Sequence, residues 1–212
     1  MKETEVMKIF DETGAIKTGH FVYTQGGHGP RYADKDSLYP HTKKARKLCK
    51  EIAKRFKNDG VEVVIGPAMG GIILSQWVTD YLTDLTGREV LAVYAQKNKD
   101  ETGFVIKRGY DKLVKEKRVL VVEDVVNTGK SVEKVVELVR IHGGIVIGVG
   151  ALVNRGGVTP QKIGNPPKFV VLLNVKFENY PEKDCPLCRD GVPINTDVGK
   201  GSDFLTRKEK GG

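Results

Sequence analysis

The spacing of apolar residues alternates along this chain between the period of a helix and the short continuous runs of buried strands. Val6, Ile9 and Phe10 recur at helical spacing and predict a short first helix that ends before Gly14. The same spacing predicts three further helices over residues 42–60, 72–85 and 132–142. In the first of these three helices, lysines and arginines lie on the face opposite the apolar one. These helices can each bury one face against a common core.

Apolar runs between the helices predict buried strands over residues 61–65, 90–94, 119–122, 145–153 and 169–175. Residues 119–122 are all β-branched or leucine, which suits a strand covered on both faces, as in a parallel sheet. Strands that alternate with helices indicate an α/β fold with a mostly parallel central sheet flanked by helices.

The remaining segments predict a hairpin, a polar loop and a tail outside this core. Residues 21–23 and 32–34 have strand character on either side of a glycine-rich loop at 26–30, which predicts an N-terminal hairpin. The polar stretch 96–111 is predicted to be a mobile loop or hairpin, and the tail after Val198 to be loose. We therefore expect a single domain over 1–212, with an N-terminal segment at 1–40, an α/β core at 41–175, and a C-terminal segment and tail at 176–212.

The motif with the clearest chemistry follows the predicted strand 119–122. Glu123 and Asp124 come directly after it, and residues 127–131, Asn-Thr-Gly-Lys-Ser, open the next helix near Ser131. Ligands collect at the carboxyl ends of parallel strands, and amides, hydroxyls and an ammonium at a helix start suit a phosphate. The two carboxylates would repel a phosphate, but they accept hydrogen bonds from vicinal hydroxyls or hold Mg2+. The motif predicts a site for a phosphorylated sugar.

Two other interpretations of this motif exist. A Walker A loop requires an earlier glycine ahead of Gly-Lys, and Glu123 and Asp124 occupy that part of the loop, which excludes it. An ordinary helix with Ser131 as its N-cap and the acids as solvated turn residues stays open.

A second glycine-rich turn at 66–71, Gly-Pro-Ala-Met-Gly-Gly, also follows a predicted strand, and its backbone amides could approach a pyrophosphate.

The stretch 119–131 resembles the 13-residue signature of the type I phosphoribosyltransferases, and more of the chain resembles their orotate branch. The opening Gly-Gly-His-Gly-Pro-Arg-Tyr-Ala-Asp at 26–34 is similar to that branch's hairpin, and residues 151–157 supply Arg155, similar to its orotate-binding arginine. Arginine suits a planar carboxylate because its guanidinium donates a forked pair of hydrogen bonds. The resemblance implies the type I phosphoribosyltransferase fold, in which a small hood, formed by the N-terminal hairpin of segment 1–40 and by the C-terminal segment, covers the core.

The resemblance implies transfer of a 5-phosphoribosyl group from phosphoribosyl pyrophosphate (PRPP) to orotate, with Mg2+ bound mainly through PRPP near Asp124 and with a homodimer as the assembly. It assigns catalysis to Asp124, Glu123 and Lys99, and base binding to Arg155 and Asn127. It assigns PRPP binding to Met69, Gly70, Lys97, Lys99, Glu123, Asp124, Val125, Val126, Asn127, Thr128, Gly129, Lys130 and Ser131.

The chain departs from the family pattern in the loop that closes over pyrophosphate. Ala95-Gln96 replaces an Arg-Lys pair, Lys99 keeps the inner lysine, and Glu101 stands where a histidine is common. Lys97 compensates if the register shifts. Two alternatives therefore stay open, namely a transferase for a purine or another base, and a non-catalytic sensor of ribose phosphates that binds nucleic acid.

Composition and charge narrow these alternatives only slightly. The 212 residues carry 35 lysines and arginines against 27 acids, a formal net charge of +8, which favours acidic small molecules or nucleic acid. The basic residues are scattered and do not alternate with aromatic ones, so nucleic acid is the less expected partner. No apolar run is long enough for a membrane span and no secretory signal is recognisable, so we expect a cytoplasmic protein.

The three cysteines do not form a disulfide framework. Cys49 lies in a helical pattern and is expected in the core. Cys185 and Cys188 have the spacing of a zinc half-site, yet tetrahedral zinc takes four ligands and no second CxxC or histidine lies near them in the sequence. A structured turn is the favoured interpretation, while a zinc site completed by another chain and redox chemistry stay open.

Overall fold

The computed structural model describes residues 1–24, 26–100 and 102–211, in which helices and strands alternate as predicted. The strands are β1 (Ile16–Val22), β2 (His28–Ala33), β3 (Val63–Pro67), β4 (Leu91–Lys97), β5 (Phe104–Val105), β6 (Arg118–Val126), β7 (Ile145–Asn154) and β8 (Phe169–Asn174). The helices are α1 (Glu3–Glu12), α2 (Thr42–Phe56), α3 (Gly70–Thr86), α4 (Tyr110–Val114), α5 (Lys130–Ile141), α6 (Pro186–Arg189) and α7 (Gly201–Gly211).

The main sheet runs in the order β5-β4-β3-β6-β7-β8 across the described residues. Strands β4, β3, β6, β7 and β8 are parallel, and β5 pairs antiparallel with β4. Strand order reverses between β3 and β6, so the carboxyl ends of these two strands form the switch point where ligands bind in open α/β sheets. This confirms the predicted fold class.

Both faces of the sheet are covered by apolar packing, which explains why its central strands read as continuous apolar runs. One core cluster joins α1, α2 and α3 to the sheet through side chains such as Phe10, Ile52 and Leu74. The other joins α5 through Val135 and Val139. Burial of the central strands on both faces holds their carboxyl ends in fixed positions.

Two local expectations from the sequence are corrected. Strand β6 continues to Val126, so Glu123 and Asp124 lie inside the strand and not in a turn after it. Residues 28–30, expected in a loop, form the start of β2. The stretch 96–111, expected as a mobile loop or a hairpin, contains the antiparallel pairing of β4 with β5 and the start of α4, which agrees with the hairpin form.

The tail expected to be loose after Val198 forms helix α7, and Phe204 on that helix is buried. Its ring meets the ring of His28 edge-on at a centroid distance of 4.9 Å. The helix is therefore retained by an apolar and aromatic contact with the N-terminal hairpin, which the tail's own charged sequence did not indicate.

The antiparallel hairpin β1–β2 forms a separate sheet, and residues 177–195 lie against it through backbone pairing. We call this hairpin together with residues 177–211 the hood. Helix α1, which the sequence boundary at residue 40 placed outside the core, instead packs against β8 and contributes to the core. No helix in the described part of the chain is long and apolar enough to cross a membrane.

Candidate active site

The loops that follow β3 and β6 meet at the switch point of the sheet. Gly66 and Gly71 lie so close that a Cβ on Gly66 would stand 2.5 Å from the carbonyl oxygen of Gly71. Only glycines allow this approach, which starts α3 directly after β3 at Gly70. The turn thereby directs backbone amides toward the end of β6, and the Ala68–Met69 peptide within it is cis.

Asp124 is the centre of a polar cluster at this edge. Its side chain is almost fully buried, and its Oδ2 lies 3.3 Å from the ammonium nitrogen of Lys35 and accepts a hydrogen bond of 2.9 Å from the Tyr39 hydroxyl. Burial lowers the pKa of Lys35, but the charge and hydrogen bond of Asp124, together with the charges of Asp36 and Glu123, outweigh burial, and the pKa is raised. The carboxylate is thus fixed by a cation and a phenol from the segment between β2 and α2.

Glu123 is also buried, but it faces a different environment. Burial, followed by the neighbouring charge of Asp124, holds the pKa of Glu123 well above its usual range. Two adjacent carboxyl groups in a poorly solvated site resist simultaneous ionisation, so Glu123 takes up a proton at a higher pH than an exposed glutamate. Hydroxyl donors from a ligand would favour its charged form and offset this penalty.

Gly70 brings the two loops into contact. A Cβ on this residue would overlap Oδ2 of Asp124, and the Tyr39 hydroxyl lies 3.1 Å from the carbonyl oxygen of Gly70. The backbone of the β3–α3 turn therefore lies directly against the carboxylate of β6. A ligand that contacts Asp124 at this edge also contacts the β3–α3 turn.

The predicted phosphate loop encloses a small cavity of about 80 Å3. It is lined by Glu123, Val125, Val126, Asn127, Thr128, Gly129, Ser131 and Val132. Gly129 has a φ of 85°, and a Cβ there would come within 3.0 Å of the Lys162 carbonyl oxygen, so glycine is required for α5 to begin at Lys130. The cavity has the size and the helix-start position of a single phosphate group.

A second cavity of about 310 Å3 opens beside the first and shares Glu123, Val125, Asn127 and Ser131 with it. Its other walls come from both loops and from the hood. They are Thr24, Tyr32, Ala33, Asp34, Lys35, Asp36, Pro67, Ala68, Met69, Gly70, Lys97, Phe104, Asp124 and Arg155. A lining that contains both carboxylates and lysines suits a ligand that carries both hydroxyls and anionic groups.

A third cavity, of about 590 Å3, shares Asn127 and Arg155 with the second. The Arg155 guanidinium lies 4.3 Å from the ring centre of Tyr23 and 5.8 Å from that of Phe177, and burial lowers its pKa. Its backbone is held by the buried Asn154, whose side-chain amide pairs with both the N–H and the C=O of Val158 at 2.9 Å. A flat anionic ring fits a guanidinium framed by aromatic faces.

The structure brings most of the predicted residues to these three connected cavities. Lys99 and Lys130 are exposed and are not among the lining residues, and the neighbouring Lys97 lines the second cavity instead. Glu101 lies outside the described residues. The roles predicted for Lys99 and Lys130 stay predictions.

Sequence reasoning missed Lys35 and Tyr39, the two side chains that hold Asp124. Both residues come soon after the Pro-Arg-Tyr-Ala-Asp stretch. Lys35 lies on the 3-10 turn Lys35–Ser37 and Tyr39 lies two residues beyond its end. Asp34 caps this turn, because its side chain accepts a hydrogen bond from the Asp36 N–H. The spacing of four residues between Lys35 and Tyr39 is a weak signal, because nothing local indicates that this turn faces β6.

Comparison with known proteins places these features in a family. The sequence profile of the phosphoribosyl transferase domain matches residues 34–182. The orotate phosphoribosyltransferase of Desulforamulus reducens is 40% identical over 206 residues, which cover 97% of this chain and 100% of the relative. That of Thermus thermophilus is 37% identical over 190 residues, which cover 90% of this chain and 98% of the relative.

Solved structures agree on the fold. The orotate phosphoribosyltransferase of Aeropyrum pernix superimposes with a TM-score of 0.64 at 24% identity, over 80% of this chain and 93% of that one. The Mycobacterium tuberculosis enzyme in complex with PRPP superimposes with a TM-score of 0.58 at 19% identity, over 82% of this chain and 91% of that one.

Proposed function

The chain belongs to the orotate phosphoribosyltransferase family, and we propose that it moves the 5-phosphoribosyl group of PRPP onto orotate. Pyrophosphate leaves and orotidine 5'-monophosphate forms, a step of pyrimidine nucleotide biosynthesis. The observation that carries this proposal is the row of three cavities joined by Asn127 and Arg155. The row offers a phosphate pocket, a hydroxyl and anion pocket, and an arginine pocket in the order required by the product.

We assign the donor to the two smaller cavities. Backbone and side-chain donors of residues 127–131 hold the 5-phosphate, Glu123 and Asp124 accept from the ribose hydroxyls, and the amides of Met69 and Gly70 face the pyrophosphate. Lys97 and Lys35, at the walls of the same cavity, lie on the side where negative charge grows as pyrophosphate departs.

We assign the base to the cavity around Arg155. The guanidinium donates a forked pair of hydrogen bonds to the orotate carboxylate, and Asn127 spans the base and ribose cavities. A base held there presents a ring nitrogen toward the ribose. The carbon–oxygen bond to pyrophosphate breaks as the carbon–nitrogen bond to orotate forms, so no protein nucleophile is required and positioning accounts for much of the rate.

The family generally uses Mg2+ with PRPP, and the donor set at this edge fits that use in a limited way. Asp124 offers oxygen ligands, but Lys35 and Tyr39 already contact its Oδ2. The ion would therefore be held mainly by oxygens of PRPP, with Asp124 beside it, and when bound it would neutralise charge on the leaving pyrophosphate.

We also propose a cytoplasmic homodimer in which the β4–β5 connection of one subunit closes on the partner's site and delivers Lys99. The exposure of Lys99 in the isolated chain supports this arrangement. Mixing Lys99→Ala with Asp124→Asn protein tests it. Restored turnover is expected, because a mixed dimer has one site with both groups intact, whereas no restoration would place Lys99 in its own subunit's site or outside catalysis.

Pyrophosphate release measured with single bases tests the reaction itself. Saturable release with orotate, dependent on Mg2+ and PRPP, is expected, while adenine, guanine and xanthine give none. Pyrophosphate release that saturates with a purine and is absent with orotate would instead identify the protein as a purine phosphoribosyltransferase. Absence of turnover with every base, together with salt-sensitive binding of nucleic acid, would support the sensor alternative.

A further inference from the structure

Away from the cavities, the hood brings together four side chains that are far apart in the sequence. His20 lies on β1, His28 on β2, and Cys185 and Cys188 lie around α6. One ligand atom from each, two imidazole nitrogens and two sulfurs, falls within 4.8 Å of every other. We propose that these four residues bind one Zn2+ tetrahedrally and that the ion fastens the hairpin to the C-terminal segment.

The distances fit a zinc tetrahedron. Bonds of about 2.3 Å to sulfur and about 2.0–2.1 Å to nitrogen place the ligand atoms of tetrahedral zinc about 3.3–3.8 Å apart. Nε2 of His20 lies 3.7 Å from each of the two sulfurs. Nδ1 of His28 lies 3.2 Å from Sγ of Cys188 and 2.9 Å from Nε2 of His20. The two remaining separations, from Sγ of Cys185 to Sγ of Cys188 and to Nδ1 of His28, are within 4.8 Å. Binding of an ion therefore requires these atoms to move closer by up to about an ångström and the others to shift by a few tenths of an ångström.

The orientation of His20 is set in the way that metal ligands require. Its Nδ1 lies 2.7 Å from the Val192 carbonyl oxygen, an acceptor, so the proton resides on Nδ1 and the lone pair of Nε2 points into the cluster. Without an ion, the Nδ1–H of His28 donates to that Nε2. Zn2+ replaces this single hydrogen bond with four coordinate bonds.

Burial and charge both favour an ion of this kind. His20, His28 and Cys185 are buried and Cys188 is half-buried, so a charged centre here is poorly solvated. One Zn2+ displaces the two thiol protons, and two thiolates with two neutral imidazoles then balance its charge. Two sulfur and two nitrogen ligands in a tetrahedron are typical of structural zinc sites, and the closed set leaves no position for a substrate.

The position of the cluster indicates what the ion stabilises. Backbone pairs already join the two segments, with His28 and Tyr180 exchanging N–H···O bonds of 2.8 Å and Asn195 donating to the His20 carbonyl at 2.8 Å. Phe177 and Asn179, just before Tyr180, line the cavity that contains Arg155. The ion would therefore hold one wall of the base cavity, while the donor cavities remain bounded by the core.

This proposal differs from the favoured sequence interpretation, in which Cys185 and Cys188 form only a structured turn. The histidines that complete the set come from the hairpin of the same chain, more than 150 residues earlier, so another chain is not required. The local sequence indicates only the cysteine half of the site, because ligand spacing identifies a whole site only when all the ligands lie close in the chain.

Metal analysis of the untagged, full-length protein, purified without chelators, tests the proposal. We expect about one zinc per chain in the wild type, from one set of four ligands. The Cys185→Ser/Cys188→Ser double variant and His28→Asn should contain none. His28→Cys should regain zinc, since three cysteines and one histidine also form a structural site. Matched controls that keep full zinc are Cys49→Ala, a cysteine buried in α2, and His41→Asn, an exposed histidine.

Cobalt provides a readout that does not depend on activity. Co2+ added to metal-free wild-type protein should produce a thiolate-to-cobalt charge-transfer band and the intense visible bands of a tetrahedral ion, both absent from the double cysteine variant. A folded wild type that lacks zinc and gives no such spectrum would overturn the proposal. So would a double variant with wild-type zinc content, or a titration showing one free thiol and a Cys185–Cys188 disulfide.

A second consequence rests on the proposed function. Removing zinc should raise the KM for orotate while leaving the KM for PRPP nearly unchanged, because the ion supports only the base cavity. An equal rise in the KM for orotate and the KM for PRPP would contradict the link between the ion and that wall of the base cavity. Zinc content is measured independently of turnover, so failure of the orotate assignment alone would leave the metal result standing.

Discussion

The donor edge and the hood differ in how their polar groups come together. At the donor edge, residues 66–71 and 123–131 span the carboxyl ends of two adjacent buried strands and the turns after them, so parallel packing alone brings their groups into one site. In the hood, His20 meets Cys185 across 165 positions, and Tyr23 meets Arg155 across the interface between hairpin and core. The first site is positioned by the sheet, and the second by contacts between the two ends of the chain.

This difference predicts how each region responds to change. A substitution at the donor edge alters chemistry without loosening the fold, because the core holds the backbone on both faces. A substitution in the hood alters the wall of the base cavity and the stability of the hairpin together. Four predictions, ordered by expected size, test this division.

The largest effect is expected for Asp124→Asn. The substitution removes the negative charge that pairs with Lys35 and that strengthens the hydrogen bonds from the ribose hydroxyls, while the side-chain volume stays nearly constant. Hydrogen bonds to charged groups are worth about 1.5–3 kcal/mol, so kcat should fall about 10- to 100-fold. Steady-state kinetics and thermal melting measure it, with the exposed Asp84→Asn as the control. An unchanged kcat would exclude the assigned role.

Arg155→Lys is expected to act on the other substrate. Lysine cannot reproduce the forked pair of hydrogen bonds, and a loss of about 1.4 kcal/mol corresponds to about a tenfold higher KM for orotate. The KM for PRPP should remain constant. Arg140→Lys, exposed on α5, is the matched control. A rise in the KM for PRPP equal to that for orotate would contradict separate donor and base cavities.

Asp34→Asn should lower stability more than turnover. Burial raises the pKa of Asp34, but the Lys17 ammonium at 2.9 Å and the Ser37 hydroxyl at 2.7 Å outweigh it and the pKa is lowered. Loss of the Asp34–Lys17 ion pair should lower the free energy of unfolding by about 1 kcal/mol, which corresponds to a decrease of about 2–4 °C in Tm.

The pH dependence of that loss has a defined sign. Because the folded pKa of Asp34 is depressed, its contribution is present above the unfolded pKa, near 3.8, and disappears as pH falls through the folded value. Denaturant unfolding of wild type and Asp34→Asn at pH 7 and at pH 3 should therefore show a smaller difference at the lower pH. A difference that grows toward low pH would contradict the pairing with Lys17.

The smallest effect is expected for Lys97→Met. This lysine lines the donor cavity from its exposed rim, where a single charge contributes at most about 1 kcal/mol, so the KM for PRPP should rise no more than about fivefold. Raising the salt concentration should reduce the difference from wild type. Lys112→Met, an exposed substitution on α4, should leave both KM values unchanged.

The same comparison explains what could be predicted from sequence. Helical spacing and apolar runs predicted the core, and the contiguous stretch 123–131 predicted the donor residues, because strand, turn and helix are consecutive there. Lys35 and Tyr39 could not be predicted, since their contact with Asp124 depends on how a turn packs against a strand nearly ninety positions later. The histidines beside Cys185 and Cys188 were missed for the same reason. Helix α7 was missed because its buried residue, Phe204, packs against the ring of His28, far away in the sequence.

The central claim is that one edge of the sheet holds the phosphoribosyl donor and the adjoining Arg155 cavity selects orotate. Internal competition tests it most directly, because a mixture of bases reports the ratio of their kcat/KM values in one reaction. With PRPP, Mg2+ and equal concentrations of orotate, adenine, guanine and xanthine, mass spectrometry should find orotidine 5'-monophosphate as the nucleotide formed. A purine nucleotide as the main product, or no nucleotide at all, would contradict the account.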